Sequence, residues 1–563
     1  MDDDIPEYMK GRGTKLAGFD KVDTGAVKPW HVEKPTLSVH SLPVVVRPPM
    51  GRPRGAREPD WLLRGDPREV QLEALRRSVM GYALRDHKDD EERYVEIRNG
   101  PARGWGHFME MRLGKTPTAL NEFLLLRRDY GLKRMIMLAP NAFKRTWISE
   151  ADAFGFDIPD MMAFDSGKIK ALRHLIARTK GQYFLALNYE ALRSEEVLKL
   201  LEEQCDSETY IGADESITIK GHGTGLTDAA LKLAKRCRAR RPMTGKPITQ
   251  GPHDAYTQLR FAGHLDGELY INFKSTYCQM GGFQGKTIVG VKRPEKLSEI
   301  IHSAAFVARK TQWMTTPGKD YGERFLQLLP EQQALYDKME KDFIIEVQDG
   351  TIVSADQIVT KLIKLQQITS GFVYDELRNV HWIVPTAKNP LVLAIKKMME
   401  EELEGKLLLV CHYQPTMDLF QKVMEEAGYQ PAVIRGQEWH RKQKVTVEQE
   451  KDRFNNDPGC RVLIGQEISL RYGHTLMGTP SDPCYTTIFA ENNYSLNDRS
   501  QCEERNQGSG QQYPIGILDF FASPQAQKIV RAIQAKEDVS ALIMGYARSE
   551  GVLPTGPVED DRH

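Results

Sequence analysis

Two short segments carry residue types that can act together on a triphosphate: Met111-Arg-Leu-Gly-Lys-Thr116 and, further along, Asp214-Glu215-Ser216. In a phosphate-binding loop, the backbone N–H groups of Met111, Arg112, Leu113 and Gly114 point at phosphate oxygens, and the helix that follows adds its positive end. Lys115 would then reach the β- and γ-phosphates, and the Thr116 hydroxyl would meet Mg²⁺. Asp214 closes the apolar stretch 209–213 and would hold the same ion, through water. Glu215 would orient or deprotonate the attacking water. Each segment alone has a bland reading. Only Gly114 precedes the lysine directly, with Arg112 where a first glycine often sits, so the first could be a mere helix start and the second a surface acidic turn. Their order along one chain points to a nucleoside triphosphatase.

Positioning those residues requires strands that end at them and helices that begin there. Residues 116–130 read as a helix, with Pro117 tolerated in its first turn and Gly131 suited to its C-terminal end. Residues 135–139, 183–187 and the run before Asp214 read as buried strands, and alternation with helices implies a parallel sheet covered on its faces. Upstream, 69–85 reads as one amphipathic helix, followed by a polar insertion over 86–104. The rhythm breaks after about 265, where 331–347 and 356–369 look helical. A second alternating block starts at Lys406, with strands expected at 407–411, 432–434, 462–464, 486–489 and 515–518 and a helix over 525–537. The expected fold class is α/β: two doubly wound parallel-sheet lobes with a helical insertion or bridge between them. The expected domains are a Pro/Arg-rich extension (1–60), a first lobe (61–265), the insertion and bridge (266–390), a second lobe (391–548) and a tail (549–563).

A length of 563 residues exceeds what one hydrophobic core supports. Hydrophobic residues at 40% and charged residues at 27% are ordinary for a soluble protein. No apolar run reaches membrane-spanning length, and the acidic start Met1-Asp-Asp-Asp-Ile5 lacks an apolar signal region, so a cytoplasmic location and no membrane partner are expected. Lys+Arg and Asp+Glu both number 77, so any grip on nucleic acid must come from a local groove, not from a global positive field. The seven cysteines contain no CxxC pair, which argues against a zinc ribbon or a disulfide framework.

An ordered series of segments over roughly residues 62–540 resembles the superfamily-two helicases, specifically the Swi/Snf-type translocases and their compact bacteriophage versions. Gln71 occupies the place of an adenine-reading glutamine. Met109 to Thr116 looks like motif I, Leu138-Ala-Pro-Asn141 with Trp147 and Glu150 like motif Ia, and Asn188-Tyr-Glu190 like motif Ib. Asp214 to Lys220 looks like motif II, and Met243-Thr-Gly-Lys-Pro-Ile248 like motif III. Lys364 to Gly371 resembles the bridge between lobes, His412-Tyr-Gln414 motif IV, and Gln466 with Tyr472-Gly-His-Thr-Leu476 motif V. Ser500 to Gln511 resembles motif VI, which carries two arginines three residues apart. Here Arg505 stands at the first and Gly508 at the second, with Arg499 or Arg471 as conceivable substitutes. Ile217 replaces the histidine of a DEAH-type box, and Lys246 the second threonine of Thr-Gly-Thr-Pro.

The resemblance implies that both lobes are RecA-like, and that the chain is an ATP hydrolase that uses Mg²⁺ and moves along DNA, duplex more than RNA, by backbone contacts. Lys115, Glu215 and Arg505 would be catalytic, and Thr116 and Asp214 would hold the metal. Gln71, residues 111–116, Gly473 and Gln501 would contact the nucleotide. Pro140, Asn141, Asn188, Tyr189 and His412 would face nucleic acid. A viral role in replication, recombination or repair, in a host cytoplasm and alongside such partner proteins, is the expected setting. The competing expectations are a catalytically weakened scaffold that binds nucleotide and DNA, and an RNA helicase of the same superfamily.

Overall fold

A computed structural model of the chain describes residues 67–85, 93–96, 101–156, 160–281, 285, 287–348, 355–471, 475–508 and 510–544. The extension expected over 1–60, the tail over 549–563 and Gly473 lie outside the described residues.

The first sheet is built from β1 (Gly106–Met109), β2 (Arg134–Ala139), β3 (Met161–Ala163), β4 (Phe184–Asn188), β5 (Thr209–Asp214), β6 (Ala239–Met243) and β7 (Ala305–Ala308). Its order is β7-β1-β6-β5-β2-β4-β3, with every pairing parallel. Period-two alternation explains how one sheet serves two cores. Met135, Met137 and Ala139 of β2 join an apolar cluster with Phe123 and Trp147, whereas Ile136 and Leu138 join another with Leu201 and Leu233 on the opposite face. Helix Lys115–Tyr130 covers the first of these faces. It ends at Gly131, whose φ of 73° lets its N–H reach back to the Arg127 carbonyl.

The second sheet is built on six parallel strands, β8 (Lys319–Phe325), β9 (Lys406–Cys411), β10 (Ala432–Ile434), β11 (Val462–Gln466), β12 (Asp482–Phe489) and β13 (Ile515–Phe521), ordered β8-β13-β12-β9-β11-β10. The two-residue strand Gly478–Thr479 pairs antiparallel with β12 off this path. Along β9, Leu407 and Leu409 face one core, Leu408 and Val410 the other. Both lobes are therefore built on doubly wound parallel sheets, as the alternation implied, consistent with the RecA-like lobes that the resemblance implied.

Three sequence expectations change. Residues 69–85 are not one helix: Glu69–Leu75 is α-helical, Arg76–Met80 is a π-turn, and Gly81 at φ 77° ends it, after which Tyr82–Arg85 pairs as a hairpin with Arg93–Glu96. The stretch 266–390 is not solely helical, because it supplies an edge strand to each sheet, β7 and β8. The final helix runs from Pro524 to Ile543, and its last residues, Ile543 and Met544, pack into the first lobe beside Leu297 and Ile301. This helix straps the second lobe back onto the first.

A buried ionic cluster ties the loop-bearing helix to the first sheet. Glu122 accepts hydrogen bonds from Arg241 Nε at 2.8 Å and Tyr210 Oη at 3.0 Å, and it also meets His107 Nε2 at 2.9 Å and the Ser78 side chain. Arg241 spends its remaining donors on the carbonyls of Ala102, Arg103 and Arg240. Burial opposes ionisation of Glu122, but the Arg241 and His107 charges hold its carboxyl well below the usual carboxylate range.

Candidate active site between the lobes

Parallel strands gather their following loops at one sheet edge, and the first lobe's chemistry lies at the carboxyl ends of β1, β6 and β5, which are adjacent in that order. The loop after β1 carries Gly114 at φ 90° as the residue before helix Lys115–Tyr130. That left-handed conformation and the pressure of Gln71 both demand glycine, since a Cβ there would overlap the Gln71 amide. Lys115 Nζ donates to the Met109 carbonyl at 3.0 Å, across the mouth of the loop. Thr116 shares a hydrogen bond with the Glu150 carboxyl, whose affinity for its proton is raised by burial.

Asp214 ends β5. Trp147 Nε1 donates to its Oδ2 at 2.9 Å, the Glu215 N–H donates to its Oδ1 at 3.0 Å, and the Tyr189 hydroxyl donates to its carbonyl at 2.7 Å. Burial and then the neighbouring Glu215 charge push the Asp214 carboxyl up to about 6, against the pull of Lys115. Glu215 adopts φ 47°, a strained conformation for a residue with a side chain, and Thr244, just past β6, donates to its Oε2 at 3.0 Å. Among the described residues no group of three or more His, Cys, Asp or Glu side chains is assembled to cage a metal. The donors present are a threonine hydroxyl and crowded carboxylates. They fit Mg²⁺, which binds through one or two carboxylates and completes its shell with water and substrate phosphate.

The second lobe closes over this edge. Arg505, 1% exposed, follows helix Leu496–Glu503 and directs its Nη2 to the Met111 sulfur at 3.2 Å, while its Nε donates to the Gln501 carbonyl at 2.5 Å. Burial lowers the Arg505 guanidinium to about 10; the neighbouring Arg112 charge adds to that fall, while Cys502 and Glu215 oppose it. Arg112, at φ 67°, reaches the other way and donates from Nη2 to the carbonyls of Glu504 at 3.2 Å and Arg505 at 3.0 Å. Lys246 spans the same cleft, donating to Ser500 Oγ at 2.8 Å and Glu537 Oε1 at 2.6 Å. A cavity of about 310 Å³ opens beside these bridges, lined by Met111, Glu215, Gly245 and Lys246 from one lobe and by Gln501 and Glu504 from the other.

Several expected residues lie elsewhere or are already engaged. Gln71 has both amide ends on backbone, accepting from Arg68 N at 3.0 Å and donating to the Leu113 carbonyl at 3.4 Å, so it supports the loop from behind. Leu113 is fully buried, and its carbonyl is the acceptor for Gln71. Tyr189, at 1% exposure, cannot offer its ring to nucleic acid and instead braces Asp214. Asn188 is buried at the end of β4, bonded to Glu190, while Pro140 and Asn141 at the end of β2 remain accessible. His412 pairs with Glu467 at 3.3 Å; burial opposes its charging, but that carboxylate prevails and raises its affinity for a proton. Arg499 is no substitute for Arg505, because it is locked inside the second lobe by Glu503, Asn492 and both oxygens of Asp519. Arg471 is held by Asp498. Sequence reasoning missed Thr244 as the support of Glu215 and Trp147 as the support of Asp214, although both stand in segments it had singled out.

No protein-family model matches the chain. Over 58% of its length it is 23% identical to an uncharacterized ATP-dependent helicase of Mycoplasma genitalium, covering 30% of that protein. Over 76% it is 22% identical to an uncharacterized ATP-dependent helicase of Mycoplasma pneumoniae, covering 39%. A Drosophila melanogaster SWI/SNF-related, matrix-associated, actin-dependent regulator of chromatin, subfamily A-like protein 1, is 22% identical over 60% of the chain and is itself covered to 42%. The chain thus spans less than half the length of these curated relatives. Among solved structures, the Sulfolobus solfataricus SWI2/SNF2 ATPase core in complex with dsDNA aligns over 87% of this chain and 96% of its own, at 17% identity and a TM-score of 0.36. By sequence, then, this chain is similar to ATP-dependent helicases, a Swi/Snf-related protein included.

Proposed function

We propose that the chain hydrolyses ATP in the cleft between its lobes and uses the cycle to move along duplex DNA. One observation carries this reading: Lys115, Asp214 and Glu215 meet at one edge of the first sheet, and Arg505 of the second lobe lies on the loop that precedes Lys115. Lys115 would exchange the Met109 carbonyl for phosphate oxygens. Thr116 and Asp214 would hold Mg²⁺, which when bound neutralises phosphate charge. Glu215, fixed by Thr244, would take the proton of the attacking water, and Arg505 would stabilise charge on the γ-phosphoryl group from across the cleft. Closure would complete the site and product release would reopen it. The accessible Pro140 and Asn141 sit where a phosphate backbone could run, and such contacts carry no sequence information. Likeness to a relative named a regulator of chromatin favours DNA. We assign the first lobe to the chain up to about Trp313 and the second to β8 onward, following the strands each sheet recruits.

The test is phosphate release by the full chain with duplex DNA, single-stranded DNA or RNA, compared with Lys115→Ala. Duplex-stimulated hydrolysis that Lys115→Ala abolishes is expected. Stimulation by RNA alone would redirect the substrate, and no release above the Lys115→Ala background would leave only a binding scaffold. Trp147→Phe, which keeps the ring packing but removes the donor to Asp214, is expected to lower turnover or Mg²⁺ affinity by roughly 10- to 100-fold. Unchanged Mg²⁺ dependence in that variant would show that Asp214 needs no such support.

A further inference from the structure

Arg112 and Gly508 break the motif patterns in different lobes, and the structure brings them into contact. The Arg112 guanidinium fills the volume that a side chain at position 508 would take: a Cβ built on Gly508 falls inside the van der Waals envelope of Arg112 Nη1. Met477 completes the niche, its sulfur 3.7 Å from the same nitrogen. On the far side, Nη2 forks onto the carbonyls of Glu504 and Arg505, the two residues just past the C-terminal end of helix Leu496–Glu503, where a cation is favoured by the helix dipole. The loop is shaped to deliver this arm. Arg112 holds φ 67°, which costs an L-residue energy, and its own carbonyl is fixed by Arg68 Nη2 at 2.5 Å.

We propose that Arg112 is the latch that docks the second lobe onto the phosphate loop and sets the position of Arg505, with Gly508 kept side-chain-free to receive it. The inference rests on the ATP-hydrolysis reading for its catalytic consequence, but not for the docking itself. One guanidinium holds the Arg505 backbone while the neighbouring Met111 meets the Arg505 side chain, so the loop that would bind phosphate and the arginine that would act on it move as one unit. An arginine that motif VI would place at 508 is thus replaced in space by one projected from the opposite lobe. Arg112 is a positioning residue, because it touches the carbonyl of Arg505 and not the reacting atoms. Losing that fork removes the tie between the loop and the Arg505 backbone and loosens the placement of its guanidinium, which lowers turnover more than nucleotide affinity.

The test is a double-mutant cycle in the full chain. Arg112→Gly keeps the left-handed backbone and removes the latch. Gly508→Ala leaves the latch but fills its niche. Each is expected to lower kcat by roughly 10- to 100-fold, the loss associated with a hydrogen bond to a charged group, with a much smaller change in KM for ATP. In the Arg112→Gly background, Gly508→Ala is expected to add nothing, because the space is already vacant. Arg112→Lys, which keeps the charge but not the fork, is expected to recover only part of the loss. Effects that multiply independently, or a wild-type kcat in Arg112→Gly, would overturn the proposal. A second arm needs no hydrolysis. All seven cysteines are buried, so dyes at Lys170→Cys and Lys422→Cys on the two lobes report their separation by energy transfer. Nucleotide-free Arg112→Gly is expected to show a longer or broader separation than the parent, and an unchanged distribution would refute the latch. If the parent proves unable to hydrolyse ATP, the proposed activity fails while this arm still decides the docking.

Discussion

Glu215→Gln is expected to cut ATP turnover by roughly two to four orders of magnitude, the span associated with removing a general base, while ATP still binds. The substitution is nearly isosteric, and its amide oxygen can still accept the Thr244 hydroxyl that now bonds Oε2 at 3.0 Å. The backbone at φ 47° need not change, since no atom is added near it. What disappears is the proton acceptor and one negative charge beside Asp214. Removing that charge relieves part of the pressure that lifts the Asp214 carboxyl to about 6, so Asp214 should titrate lower in the nucleotide-free variant. Single-turnover hydrolysis and fluorescent-nucleotide binding separate the two quantities. Turnover within about threefold of the parent would remove Glu215 from the reaction.

Arg241→Ala is expected to destabilise the first lobe by about 3–5 kcal/mol, because it strands the Glu122 carboxylate in a dry core. Both side chains are fully buried, and Arg241 also serves three backbone carbonyls that would lose their partner. The sign of the pH dependence follows from linkage. In the parent, the Glu122 carboxyl is held below its unfolded value, so its contribution is complete above about pH 4–5 and is lost as pH falls further. In Arg241→Ala the largest opposing charge is gone, burial dominates, and the folded carboxyl rises above its unfolded value. The variant should then lose stability as pH rises, so its deficit in Tm is expected to shrink between about pH 8 and pH 5. A deficit constant over that range would mean that Glu122 does not carry the effect. Replacing both residues, as Glu122→Gln with Arg241→Met, should recover part of the loss.

Most of the lobe architecture could be read from local pattern. Runs such as Met135 to Ala139 and Leu407 to Cys411 are apolar on both faces, which only a strand covered on both sides requires. The loop at Gly114 and the acids at the end of β5 were legible for a similar reason: their chemistry lies in contiguous residues whose backbone conformation is set within a few positions. The helix expected over 69–85 failed because apolar spacing says nothing about where Gly81 takes a left-handed conformation and turns the chain into a hairpin. Tyr189 failed as a nucleic-acid contact because its segment shows an aromatic ring but not which way the end of β4 turns it.

The amino-acid order alone determined the two parallel-sheet lobes, the lysine-bearing loop and the carboxylate pair, since hydrophobic period, glycine placement and strand ends are short-range properties. Only the tertiary structure decided which residues close the cleft. Arg112 and Arg505 stand 393 positions apart, and Lys246 and Ser500 stand 254 apart. Such contacts depend on how two separately folded sheets dock, strapped by a final helix whose end packs in the first lobe. A substitution that looks like the loss of an arginine at Gly508 therefore becomes, in three dimensions, a niche for an arginine from the other side.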